Sequence, residues 1–458
     1  MKNKLYIVLL ACSVIAVGYF YRSVKTDDAF IYYSYAKNIV GGNGWVFNTG
    51  ERINACTSIL YPILLSVLSI GNVEWIPTIG HIIGAVSLFA LCLFLFLSST
   101  GAQRYFVPIL VLANPLILNG WGMETFLIFA YMAGALYWYG RAMRRMVAIF
   151  VLLAILARPD AILFAVVLYG YDWFKNRRLP GLAEVTIIGA PLAAWAVWSY
   201  SYFGSPLPST LGAKLCQAHS ESFGVGLRFL SGFNDIPFYG NLIERNIVWM
   251  AFFLSVLVVI INLNKIKLNA CISILLIWSV IHTMVYGFVL NAINFPWYYT
   301  YAIITIAIVI GLALSMVRLL EIKVVTFIIL VAIVFVNNEY IGRHNDRWWK
   351  HRCYRAIANE LKSNSSGNKR SIACSEIGFL KWYYRGPIID MMGLVTPGQA
   401  EGLAGTYPTY YMRYHPHYLV LNAPRKNITE KINCQEYGYK KNGEISLNNR
   451  TIEVYELR

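Results

Sequence analysis

Apolar runs close to the roughly 20 residues that a helix needs to cross a bilayer recur along the first three quarters of this chain. They fall at about 5 to 21, 75 to 98, 104 to 119, 121 to 140, 146 to 158, 160 to 174, 183 to 203, 246 to 263, 268 to 290, 297 to 317 and 323 to 341. Composition agrees with them. With 57% of its 458 residues hydrophobic and only 14% charged, and a mean hydropathy of +0.52, the chain is unlike an ordinary soluble fold. The expected fold class is an α-helical polytopic membrane protein with about 11 transmembrane helices and further helices lying in the interface.

Lys and Arg in short loops are retained on the cytoplasmic side, so their distribution sets the orientation. Lys2 and Lys4, Arg104, Arg141, Arg144 and Arg145, Lys175, Arg177 and Arg178, Lys265 and Lys267, and Arg318 and Lys323 all fall on one side. The opposite short loops, 119–124 and 291–297, carry neither residue. This parity holds only if the apolar stretch 57–72 lies in or dips into the interface without crossing. The N-terminus is then cytoplasmic, and the first run is an uncleaved helix, because no small-x-small cleavage site follows it before Arg22. Residues 1–341 form the membrane domain, with a first exterior loop at 23–74, and residues 342–458 lie outside. The net charge of +16 points to anionic lipid headgroups or a lipid phosphate as partners, and no nucleic acid is expected.

Two hydrophilic regions stand out, at 204–245 and 342–458. In the first, Gly204-Ser-Pro-Leu-Pro-Ser-Thr has the turn chemistry of a chain leaving a helix sharply, and Lys214 follows. The second begins with a helix at 347–363 and continues with strand-like runs at 371–374, 387–390 and 418–421, which predicts a small α/β domain. Five cysteines in exterior parts, Cys56, Cys216, Cys353, Cys374 and Cys434, are expected to include one or two disulfides in an oxidising compartment. None has a metal-ligand spacing.

The chemistry-bearing stretch is 26–68. Asp27 and Asp28 sit where the chain leaves the bilayer, followed by an aromatic, amphipathic helix to Val40, a Gly41-Gly42-Asn43-Gly44 turn and Gly50-Glu51-Arg52. Acids at a membrane edge are costly unless used or paired. Glu124, Arg158, Asp160 and Lys214 fall on the same outer face, whereas the span interiors hold little charge beyond His81 and His282, read here as packing histidines. A transporter would place its key charges at mid-bilayer and break helices there. Each residue also has a plainer reading. Asp27 and Asp28 suit a helix N-terminus, Arg158 can pair with Asp160, Lys214 can be a solvated loop charge, Glu124 can cap a helix, and Trp297, Tyr298 and Tyr299 suit an interfacial aromatic belt. His415 and His417 lack the further ligands of a zinc site, so no metal is assigned.

Several motifs in common order resemble the bacterial GT-C glycosyltransferases, the polytopic class that uses polyprenyl-phosphate sugars, and in particular the branch of terminal arabinofuranosyltransferases and similar membrane sugar transferases. They are TDDAFIYYSYAKNIVGGNGWVFNTGERI with CTSILYPILL at 26–65, NGWGMETFLIF at 119–129, ARPDAILFAVVL at 157–168, FGSPLPSTLGAKL at 203–215, FPWYYTYAI at 295–303 and SEIGFLKWYYRGPIIDMMGLVTP at 375–397. The resemblance implies transfer of a sugar, with inversion, from a polyprenyl-phosphate donor to a cell-envelope glycan or lipid at the outer face of a bacterial inner membrane. It makes an acid of the first exterior loop the catalytic base, Asp27 first and Asp28 second. Arg158 and Lys214 are then expected at the donor phosphate, and Glu124, Arg52, Trp297 and Tyr298 in substrate binding. No cofactor is expected, although the Asp27–Asp28 pair leaves a divalent cation open. The alternative is a polytopic transporter or flippase of lipid-linked sugars.

Overall fold

The computed structural model describes residues 2–218, 227–235, 242–262, 264, 268–344, 348–364, 370–397, 409–425, 430–447 and 450–458. Lys265, Lys267, Arg347 and parts of the 204–245 loop lie outside them. In chain order the helices are α1 (Lys2–Phe20), α2 (Asp27–Val40), α3 (Leu60–Leu68), α4 (Ile76–Ser98), α5 (Gln103–Ala113), α6 (Thr125–Tyr139), α7 (Arg144–Ala157), α8 (Ile162–Asn176) and α9 (Leu182–Phe203). They continue with α10 (Ser209–Ala218), α11 (Arg228–Asp235), α12 (Leu242–Ile261), α13 (Ala270–Met284), α14 (Tyr301–Met316), α15 (Leu320–His344), α16 (Trp348–Asn364) and α17 (Ile377–Tyr383). Each apolar run named above coincides with a helix. Among the described residues, five helical stretches, Asn3–Phe20, Val73–Ser98, Leu182–Phe203, Ala270–Val289 and Pro296–Met316, are long and apolar enough to cross a membrane by length and composition.

The departures from full-length spans place the candidate site. α3 has 9 residues, about 14 Å of helix, and is far too short to cross. α7 and α8, at 14 and 15 residues, are cut short by Pro159, because the residue before a proline is driven out of the helical region. Arg158 accordingly ends α7 in an extended conformation, with φ −156° and ψ 130°, and a 3-10 turn at Pro159–Ala161 leads into α8. The glycine turn after α2 has its own steric cause. Gly44 has φ +82°, and a Cβ there would lie 2.6 Å from the Tyr202 hydroxyl of α9.

The C-terminal region carries a five-stranded sheet of β1 (Ile372–Cys374), β2 (Ile388–Asp390), β3 (Tyr418–Ala423), β4 (Tyr439–Leu447) and β5 (Arg450–Leu457). Their order is β2-β1-β3-β5-β4, with β1 parallel to β2 and β3, and β5 antiparallel to β3 and β4. The three expected strands are present, and the β4–β5 hairpin is an addition. The expected disulfides do not form: all eight cysteines are free thiols. Cys216, Cys353 and Cys374 lie on α10, α16 and β1, Cys56 and Cys434 lie in loops, and all of these but Cys216 are buried.

The sheet domain is fastened to the membrane domain through α2. Phe30 packs edge-on against Phe379 and Trp382 of α17, with ring centroids 5.0 and 5.9 Å apart. The approach is so close that a Cβ on Gly378 would lie 2.1 Å from the Asp27 carbonyl oxygen. Asn48 completes the edge of β2, accepting from the Ile388 amide at 3.0 Å and donating to its carbonyl at 2.8 Å. Ser209, at the start of α10, donates to the carbonyls of Asn54 and Leu394 at 2.9 and 2.6 Å.

Candidate active site

Consecutive residues leave an α-helix about 100° apart, so the two acids that open α2 face different surroundings. Asp27 turns to the sheet domain, where its Oδ2 accepts from the Gly378 amide at 3.0 Å and its Oδ1 from the Phe379 amide at 2.7 Å. It is a helix cap, but of α17, which lies 351 positions later in the chain. Burial and the nearby Glu376 carboxylate push the Asp27 carboxyl up, against the two amide bonds that pull it down. Glu376 is itself ion-paired with Lys350 of α16.

Asp28 turns the other way, into a small cleft of about 50 Å³ that Glu124, Arg158, Lys214, Trp297 and Tyr298 also line. Burial pushes the Asp28 carboxyl up to about 6, opposed by the Lys214 cation and helped by Glu376 and Glu124. Burial alone would lower the Lys214 ammonium, but Tyr298 and Asp28 hold it up, so the lysine enters the cleft charged. Its Nζ lies 5.3 Å above the Tyr298 ring.

The other cation is built from the Arg158-Pro-Asp160 turn. Arg158 donates through Nε and Nη2 to the two carboxylate oxygens of Asp160, at 3.1 and 2.7 Å, and the Tyr286 hydroxyl donates to the same carboxylate at 2.7 Å. Only 12% of the Arg158 side chain is exposed. The pairing with Asp160 and the place in the cleft hold together, because a two-point bond fixes the guanidinium plane while other N–H groups stay available. His282 Nε2 stands 3.8 Å behind the same carboxylate.

Glu124 is buried at the start of α6, yet its side chain makes no cap bond. Oε1 accepts from the Tyr32 hydroxyl at 3.2 Å, and Oε2 is buried with no hydrogen-bond partner among the described residues. Trp297 and Tyr298 likewise turn inward, Tyr298 being 7% exposed. Arg52 is the candidate that does not join the cluster; its guanidinium stacks 4.6 Å over the Tyr202 ring, outside the cleft. Tyr32, Thr210 and Leu394 line the cleft without having been singled out from the sequence. Tyr32 was within reach, since it lies four residues after Asp28 and so on the same helix face. Leu394 comes from the sheet domain, and no local pattern announces it.

A second, apolar cavity of about 360 Å³ opens beside the cleft and shares Thr57, Arg158, Lys214 and Tyr298 with it. Leu163, Leu207, Leu211, Leu215, Leu290 and Ile293 are among its walls. Among the described residues, no group of three or more His, Cys, Asp and Glu is arranged to hold a metal ion. Both oxygens of Asp27 accept from backbone amides of α17.

Comparisons with known proteins follow this geometry. Residues 343–455 match a family described as a domain of unknown function, DUF8728. The terminal beta-(1->2)-arabinofuranosyltransferase of Mycobacterium tuberculosis is 26% identical over 269 residues, which cover 51% of this chain and 42% of that protein. The match thus spans less than half of that relative's length. Among solved structures, ArnT from Cupriavidus metallidurans superposes with a TM-score of 0.57 at 11% identity, covering 99% of this chain and 98% of that one. The Archaeoglobus fulgidus oligosaccharyltransferase, tethered to an acceptor peptide, superposes with a TM-score of 0.55 at 12% identity, covering 92% and 69%. The chain has the GT-C fold of membrane glycosyltransferases.

Proposed function

We propose that the chain is an integral-membrane glycosyltransferase that moves a sugar, with inversion, from a polyprenyl-phosphate donor to a hydroxyl of an envelope glycan or lipid at the outer face of the inner membrane. The observation that carries this reading is the meeting of a carboxyl raised to about 6 with two cations in a cleft that opens into an apolar cavity. The acceptor oxygen bonds to the anomeric carbon as its proton passes to Asp28. The bond from that carbon to the phosphate oxygen breaks on the opposite side, and its electrons leave with the lipid phosphate. Arg158 and Lys214 meet the charge that grows there, and the apolar cavity suits the first isoprene units. The arabinofuranosyltransferase likeness makes a polyprenyl-phospho-arabinofuranose the first donor to test.

The test separates donor binding from turnover in nanodiscs. Asp28→Asn is expected to lower turnover by about 100-fold or more while donor binding survives. Lys214→Ala is expected to weaken both, because the same cation meets ground-state and departing phosphate. Turnover by Asp28→Asn close to that of the unaltered protein would remove Asp28 as the base and leave Glu124, with its unpartnered Oε2, in its place.

A further inference from the structure

A further cavity, about 460 Å³ in volume, lies at the other ends of the helices that build the cleft. α7 begins there with Arg144 and ends at Arg158, about 21 Å away along its axis. Its floor is a closed ion network. Arg144 donates from Nε and Nη2 to Glu184 Oε2 at 3.0 and 2.7 Å and from Nη2 to the Leu179 carbonyl at 2.8 Å, with its Nη1 3.8 Å from Asp172. Tyr139 and Asn176 donate to the other oxygen of Asp172, at 3.0 and 2.7 Å. The Tyr169 hydroxyl faces this cavity, is buried, and has no hydrogen-bond partner among the described residues.

The mouth is different in kind. Lys175 and Arg178 line it, both exposed and neither with a hydrogen bond or ion pair among the described residues. With Arg144 they make three cations facing the two carboxylates, so the cavity carries a surplus positive charge. On the same stretch of chain, from the end of α8 to the start of α9, the apolar side chains Trp173, Phe174, Leu179 and Leu182 are 50 to 84% exposed. Free cations and an orphan hydroxyl over a polar cavity, with exposed apolar side chains on the same stretch of chain, match a phosphate carried on acyl chains. We propose that this cavity seats the phosphate headgroup of an anionic phospholipid in the leaflet opposite the candidate active site. A free phosphate offers the same charge but has no use for the exposed apolar side chains of this stretch.

The full-length protein in detergent, titrated with phosphatidylglycerol and read by native mass spectrometry, tests this. The unaltered protein should retain phosphatidylglycerol in preference to phosphatidylcholine, and inorganic phosphate should not displace it. A Lys175→Ala, Arg178→Ala double variant should bind phosphatidylglycerol about tenfold more weakly while melting like the unaltered protein without lipid, since neither side chain has a partner to lose. Equal affinity in that variant overturns the proposal, and displacement by inorganic phosphate overturns the lipid in favour of the free anion. If the double variant melts lower, Tyr169→Phe carries the test, because it removes one orphan hydroxyl: weaker phosphatidylglycerol binding supports the site and unchanged binding overturns it.

Discussion

Asp27 and Asp28 are neighbours with opposite duties, and their chemistry predicts opposite responses to the same substitution. Asp28 holds its proton up to about 6, whereas an unfolded aspartate loses it near 4. Between those values the folded protein keeps a proton that the unfolded chain has released, so stability falls as pH rises through that window and is level above it. Asp28→Asn removes this burden, and the variant should melt at a higher temperature at pH 7 even as turnover collapses. Turnover of the unaltered protein should rise with pH through about 6 as Asp28 ionises. Asp27→Asn should do the reverse. An amide has one carbonyl oxygen where the carboxylate offers two, so one of the Gly378 and Phe379 amides loses its acceptor and the protein melts lower, by about 1 to 3 kcal/mol of stability. Melting and turnover measured on both variants distinguish the two roles; a higher melting temperature for Asp27→Asn would contradict its capping role. The sequence shows that this pair matters, but which acid faces the cleft depends on where α17 docks, and that contact joins residues 351 apart.

Among the elements, α2 is gripped from both sides, by the membrane bundle and by α17. Its seam with α17 allows no side chain at Gly378, where a Cβ would stand 2.1 Å from the Asp27 carbonyl oxygen and 3.1 Å from the Ile31 nitrogen. Backbone atoms cannot swing aside as a flexible side chain would, so Gly378→Ala should push α17 off α2. The expected cost is about 1 to 3 kcal/mol, as for other overpacked sites, with slower turnover because Asp28 rides on α2, which the seam with α17 holds in place. A melting temperature and a rate equal to those of the unaltered protein would show that the seam is loose. The strands beside this seam were legible where they are buried: β1 and β2 are enclosed along their whole length, and apolar but for Asp390 at the end of β2. The β4–β5 hairpin was not, since Lys440, Lys441, Asn442 and Glu444 make its outer strand look like a surface loop. Its pairing comes from β3, whose free edge β5 completes. The same limit applies to Trp297 and Tyr298, which have the composition of a membrane-interface belt and turn inward only because the Arg158 turn and α10 build a cleft for them to line.

On the scale of the whole molecule, the sheet domain belongs to the cleft: Leu394 lines it, and the Leu394 carbonyl holds Ser209 at the start of the helix that carries Lys214. Cleft and sheet domain must therefore occupy the same side of the membrane. The basic loops at 141–145 and 175–178 sit at the other ends of α7 and α8, so the positive-inside rule predicts that they are cytoplasmic and the cleft exterior. Impermeant thiol labelling of intact cells checks both statements together. Single cysteines at Glu51 and Arg385, exposed beside the cleft and on the sheet domain, should label from outside, and cysteines at Met143 and Arg177, equally exposed at the other ends, should label only after the membrane is opened. Asn48 is unsuitable as a probe because it is buried against β2, and the partly accessible native Cys12 and Cys216 need replacing by serine first. Labelling of Glu51 and Arg385 on opposite sides would break the link between cleft and sheet domain. Protection of both, with Met143 and Arg177 open, would invert the protein and move the transfer reaction to the cytoplasmic face.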